Sequence, residues 1–210
     1  MAKRKQIAHT RYIKAMLSMA NEVDIHEGKH WYQRAYDLAV RLMHVYDGYT
    51  LGQVVGVIAA LSPNNKWSRN CQDAEILIKS HWHGVDLDLI KVCTFHKNKQ
   101  KAIDILELDS DAIETNQIEA ILNGRKVTAF YRCIMGHTDT VCVDGHAYAV
   151  WMGERIPTTK TPSISPSLYE TITRSYVNVA KMSHEICGEI LTPAQVQAVT
   201  WVTYRRLLGY

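Results

Sequence analysis

The sequence predicts an all-α fold, and three observations carry that prediction. Apolar residues recur at helical spacing along most of the chain, as in Trp31–Tyr46, where Tyr32, Ala35, Tyr36, Ala39 and Leu42 fall on one face. Glycine, proline and asparagine punctuate these stretches at short intervals. Strand signals are scarce: Thr138–Val143 (TDTVCV) has strand composition, but one short strand makes no sheet. With 210 residues the chain can bury a real core, as one domain or two small lobes.

The elements follow in order. A helix is predicted over Trp31–Tyr46 and stopped by Asp47-Gly48. Leu51–Leu61 (LGQVVGVIAAL) is nearly all apolar, so this helix is expected to be buried on most sides, and Ser62-Pro63-Asn64-Asn65 ends it. Helices are then predicted over Asn70–Ser80, over the basic, amphipathic Lys97–Leu108, and over Thr115–Leu122. Asn123-Gly124 reads as a C-cap turn, and Lys126–Met135 as a helix stopped by Gly136. Gly145–Met152 opens another helix. Pro157–Ser167, with three prolines, reads as a loop. Leu168–Ile190 is predicted as one helix, and Thr192-Pro193 caps and starts the last. There is no internal repeat and no low-complexity segment.

Composition narrows the function classes. The net charge of +3 is mildly basic and permits nucleic-acid binding without arguing for it. Cations cluster at Lys3-Arg4-Lys5, Lys97-Lys99-Lys101, Arg125-Lys126 and Arg205-Arg206; each such cluster also reads as a solvated surface. The five cysteines are scattered and show no C-x-x-C spacing. That argues against a disulfide framework, a zinc ribbon or an iron–sulfur site, and suits reduced thiols in a cytoplasm. The basic start runs into the polar QIAHTR, so no signal peptide is expected. The longest apolar run, Val54–Leu61, is too short to span a membrane.

Three motifs can carry chemistry. His26-Glu27-Gly28-Lys29-His30 fits H-E-x-x-H, a zinc-hydrolase pattern that needs a helix interior. Gly28 costs about 1 kcal/mol of helix propensity, and a turn is expected here, so neither a metal nor another cofactor is expected. His81-Trp82-His83 is weaker still, because alternate residues do not share a helix face. Lys126 and Asp144 form the second candidate. An amine in the first turn of a helix, beside Arg125, suits a nucleophile of lowered basicity. Asp144 reads as the N-cap of the following helix, and a cap can still be catalytic if its second oxygen faces a cleft. The third is the amide-rich turn Ser62–Trp67, which reads either as a plain helix stop or as a probe of base edges.

Taken together, these segments resemble the helix-hairpin-helix, endonuclease III-like DNA glycosylase superfamily. VIAALSPNNKWSRNCQDA is similar to its helix ending in L-S-x-Q/N and the helix that follows. FHKNKQKAIDIL is similar to the next basic helix, GRKVTAFYRCIM to the second helix of the hairpin, VCVDGHAYAVW to the V-D-x-H-x-x-R-V segment, and VTWVTYRRLLG to the closing helix. The resemblance covers most of Leu51–Trp151 and the C-terminal helix. Lys126 and Asp144 lie 18 positions apart (144 minus 126), the separation of the lysine and aspartate in bifunctional members.

The resemblance implies a single glycosylase-like domain over residues 1–210, with one lobe of helices from 51–135 and a second formed by 1–50 together with 136–210. It implies Lys126 as the amine that attacks sugar C1′ and Asp144 as its activator or the stabiliser of the oxocarbenium-like sugar. The partner implied is double-stranded DNA with a flipped base, contacted by Asn64, Asn65, Lys66, Lys97, Lys99, Lys101, Gly124, Arg125 and His146. Asn64 would probe or fill the duplex. The departures are specific. Leu122 replaces the first glycine of the hairpin's L-P-G-x-G, Tyr148-Ala149 replaces the arginine expected after V-D-x-H, and the four-cysteine cluster is absent. IAALSPNNKW, VDGHA and LTPAQVQAVTW also resemble a phage-associated, alpha-glutamyl/putrescinyl thymine pyrophosphorylase-like branch, which implies a hypermodified thymine as substrate and a host cytoplasm as setting. Three classes therefore remain: an enzyme on DNA bases, a DNA- or protein-binding module without chemistry on the same scaffold, and a zinc hydrolase. The oligomeric state is left open.

Overall fold

A computed structural model describes residues 2–110 and 115–209, with side chains from His9 onward; the Lys3–Lys5 cluster's side chains lie outside the described residues. These residues form twelve α-helices and no strand. The helices are α1 (Ala2–Ser18), α2 (Glu22–Lys29), α3 (Trp31–Val45), α4 (Leu51–Leu61), α5 (Trp67–Trp82) and α6 (His96–Leu106). After them come α7 (Thr115–Leu122), α8 (Arg125–Ile134), α9 (Gly145–Met152), α10 (Pro166–Ala180), α11 (Ser183–Cys187) and α12 (Pro193–Leu207). The all-α expectation is met. No helix is long and apolar enough to cross a membrane.

The chain divides into two compact units, 33–135 and 1–32 with 136–210. The division falls inside α3, between Tyr32 and Gln33, rather than after residue 50. The end of α3 belongs with α5 because Tyr46 meets Trp82 edge-on at 6.0 Å and Trp82 Nε1 donates to Asp47 at 2.9 Å.

In the 33–135 unit the apolar α4 is the centre, buried from Gln53 to Leu61 and packed by α5, α6, α7 and α8. Thr50 and Gln53 form a capping box at its start. Gln53, fully buried, also donates to the carbonyls of Ile105 (3.2 Å) and Leu108 (3.1 Å). A buried amide with every group paired ties α4 to the end of α6, its hydrogen bonds offsetting the cost of leaving water. Helix α5 starts at Trp67, three residues before the predicted Asn70. Asn70 is an interior residue whose buried amide donates to Ile58 O at 3.0 Å, holding α5 to the last turn of α4.

In the other unit α12 packs on α1, α2, α9 and α10. Ile13, Leu17, Val150, Ile172, Tyr176, Val196 and Val199 belong to its core. Helices α1 and α2 lie before the first predicted helix. The turn expected at His26–His30 is instead the second half of α2 and its C-cap. Asn21 and Asp24 form a capping box at its start, and Gly28 lets α12 approach. TDTVCV forms no strand: Val143 N donates to Tyr169 Oη (3.1 Å), which in turn donates to Val141 O (2.9 Å), so a tyrosine takes the place of a neighbouring strand. The single helix expected over Leu168–Ile190 is broken at Lys181-Met182, and α11 ends on Gly188 in the left-handed region. Ser183, buried where the break occurs, accepts from Leu191 N at 2.9 Å.

Candidate functional site

Asp144 is the N-cap of α9, as its position before the helix predicts. Its Oδ1 accepts from Ala147 N at 2.8 Å. Its Oδ2 is turned to His146 Nδ1, 3.5 Å away, and about a quarter of each side chain is exposed. One oxygen thus serves the backbone and the other faces a polar, partly open neighbourhood.

That neighbourhood is aromatic. His146 meets Trp201 edge-on at 6.2 Å and Tyr204 at 6.0 Å, both from α12. Trp201 meets Trp31 at 5.8 Å and carries the Arg205 guanidinium 4.7 Å from its ring centroid. Tyr204 Oη approaches the backbone of Glu154 and Ile156 beyond α9. Beneath the pair, Tyr176 is fully buried and donates to Ala147 O at 3.2 Å; burial first, and then the Asp144 charge, push its phenol far above its ordinary pKa. The loop after Pro157 closes against Gly145, where a Cβ would lie 2.8 Å from Thr161 Oγ1. That hydroxyl is buried and, among the described residues, has no hydrogen-bond partner. The constellation therefore joins a carboxylate, an imidazole, an indole and a guanidinium in one unit.

Lys126 is the second residue of α8, half-buried, and belongs to the 33–135 unit, whereas Asp144 belongs to the other. Just before it, Asn123 adopts φ +39°, and Gly124 is extended at φ −175°. A Cβ at Gly124 would meet Leu122 O alone, at 3.7 Å, so sterics do not require glycine there. Leu122, standing at the resemblance's missing glycine, is fully buried, and its carbonyl accepts from Lys101 Nζ.

The predicted cationic and amide contacts divide sharply. Lys97 and Arg125 are exposed. Lys99 is 7 % exposed and donates to Asp88 O at 3.3 Å. Lys101 closes the end of α7, and burial, then the neighbouring Lys97, lower its amine's pKa. Asn64 is exposed at φ +58°, and Lys66 is exposed at the start of α5. Asn65 points inward and donates to Asp73 at 3.0 Å. Asp73, fully buried, also accepts from Arg69 Nε (2.7 Å) and Cys93 N (2.8 Å). The turn is thus held rigidly from beneath while Asn64 faces outward.

His26 and His30 lie one turn apart, ring centroids 4.6 Å, on the exposed side of α2. Among the described residues no three histidine, cysteine or acidic side chains gather as a metal site. Sequence reading did not single out Trp201, Tyr204 and Arg205 individually. The signal was the i, i+4, i+8 row Gln197, Trp201, Arg205 on α12, in which Gln197 accepts from Tyr32 Oη at 2.7 Å.

The fold and this cluster define an all-helical protein with a carboxylate–imidazole pair set among aromatic rings. The chain belongs to DUF7178, a family of unknown function, whose model matches residues 1–207. No curated protein and no solved structure matches it.

Proposed function

We propose that this protein is a DNA N-glycosylase-like enzyme that acts on a modified base, with Asp144 as the acid of the site and Lys126 as the amine nucleophile. The observation that supports it most is the divided use of Asp144: one oxygen is fixed by the α9 backbone, and the other lies 3.5 Å from His146 on a side chain about a quarter exposed. Base excision breaks the bond from C1′ to the base nitrogen. The electron pair leaves with the base, and positive charge develops on the sugar. A carboxylate held rigidly near that charge stabilises it without reorganising. The aromatic surroundings suit a nucleotide taken out of the stack. Lys126 takes its role from sequence spacing: its amine adds to C1′, loses a proton, and forms a Schiff base as the sugar ring opens.

Borohydride trapping on duplexes carrying different modified bases, hypermodified thymine among them, tests this. Wild type should give a covalent adduct, and Lys126→Ala none. Asp144→Asn should slow excision by about 100-fold or more, the usual scale for a positioned acid or base. Excision that survives Lys126→Ala but not Asp144→Asn would leave an enzyme working through Asp144 alone. The proposal fails if no base is released by wild type while the protein still binds DNA; the scaffold would then be a binding module.

A further inference from the structure

The two arginines that end α12 sit in different environments. Arg206 is engaged: its Nε donates to both Asp24 oxygens at 3.0 and 2.9 Å, and its Nη2 to Met19 O at 2.9 Å. Arg205 is half-buried and lies over Trp201, and among the described residues nothing accepts from its guanidinium. An arginine in the last turn complements the helix dipole wherever its side chain points. Stacking on an indole adds something else: it fixes the plane of five N–H donors and removes side-chain freedom that binding would otherwise cost. The same indole meets His146, whose Nδ1 faces Asp144 Oδ2.

We propose that Arg205, oriented by Trp201, is the anion-binding residue of the Asp144 site and takes the phosphate group of the nucleotide presented there. The planar fork matches a phosphate's paired oxygens, and Asp144 does not occupy it. This rests on the reading above in taking that phosphate from DNA; a free nucleotide offers the same chemistry.

Equilibrium binding separates the two sources. One probe is a duplex carrying a non-cleavable abasic-site analogue, and the other is thymidine 5′-monophosphate. For the duplex, Arg205→Ala should weaken binding about tenfold and lower the salt slope by about one. Arg205→Lys, which keeps the charge but not the fork, should recover only part. The exposed Lys181→Ala, at the end of α10, should bind as wild type. Should Arg205→Ala fail to fold, Arg205→Lys carries the same comparison. Dependence on Arg205 for the mononucleotide but not the duplex would keep the anion site and overturn the DNA reading. Wild-type affinity and salt slope in both Arg205 variants overturn the proposal while leaving the DNA reading standing. Failure of wild type to bind either probe overturns both.

Discussion

At the scale of single residues, Gly28 shows how a local rule and the fold can disagree. Within a helix, glycine is worth about 1 kcal/mol less than alanine, which is why HEGKH reads as a turn. The helix forms there because the position needs no side chain. A Cβ would lie 2.4 Å from Val199 Cα and 2.5 Å from Val199 N, both backbone atoms of α12. Backbone cannot rotate aside, and overpacking costs about 1–3 kcal/mol. Gly28→Ala should therefore destabilise the protein by about 1–2 kcal/mol, the overpacking cost outweighing the propensity gain. A lower urea midpoint with an unchanged slope would register it; an unchanged or higher midpoint would mean that α12 yields freely. The same limit applies to neighbours of equal chemistry. Asn64 and Asn65, or Arg205 and Arg206, are interchangeable as letters. Only the positions of Asp73, Trp201 and Asp24 decide which faces outward and which is engaged.

At the scale of elements, the apolar α4 was legible to the residue, because a run from Leu51 to Leu61 bounded by Thr50 and Ser62-Pro63 leaves little choice. Helices α1 and α2 were not, because their surfaces are largely polar and their stability comes from partners elsewhere. Asn21-x-x-Asp24 was a readable start signal that the pattern of apolar residues obscured. The tie between α2 and α12 is the buried Asp24. Burial by itself would raise its carboxyl's pKa. The Arg206 hydrogen bonds, the Asn21 N–H and the Arg206 charge outweigh that, and the carboxyl lies below the ordinary range. A carboxylate of depressed pKa contributes stability that is complete above the unfolded value, near 4, and is lost as pH falls through the folded value. Asp24→Asn should therefore melt below wild type at neutral pH. The gap should close in acid as wild type loses what the variant already lacks. Melting curves of both proteins from pH 7 to 2 decide it; a gap that stays constant would mean that Asp24 is held by packing rather than charge.

At the scale of the whole molecule, the sequence shows the order of helices but not which ones share a core. Periodicity identifies a buried face without naming what covers it, so the unit boundary that falls within the continuous α3 could not be read from Trp31–Tyr46 alone. The Asp144 cluster was half legible for the same reason: VDGHA announces the cap and the histidine, whereas Trp201, Tyr204 and Arg205 arrive from a helix about sixty positions away along the chain. The division also makes the two units unequal in how they can form. Residues 33–135 are one continuous stretch of domain size, with α4 enclosed by α5 to α8. The other unit is discontinuous: α12 closes on α1 and α2, and Ile13 and Leu17 lie in the same core as Val196 and Val199. A fragment of residues 33–135 should therefore be helical and melt cooperatively on its own. A fragment of residues 136–210 should not, because α12 then exposes the apolar face that α1 and α2 cover, and adding a separate 1–32 peptide should restore its helicity. Circular dichroism of the two fragments, with and without the peptide, measures this. A cooperative melt from 136–210 alone would show that α9 to α12 hold a sufficient core without the first two helices, and that α1 and α2 are an addition to the unit rather than part of its foundation.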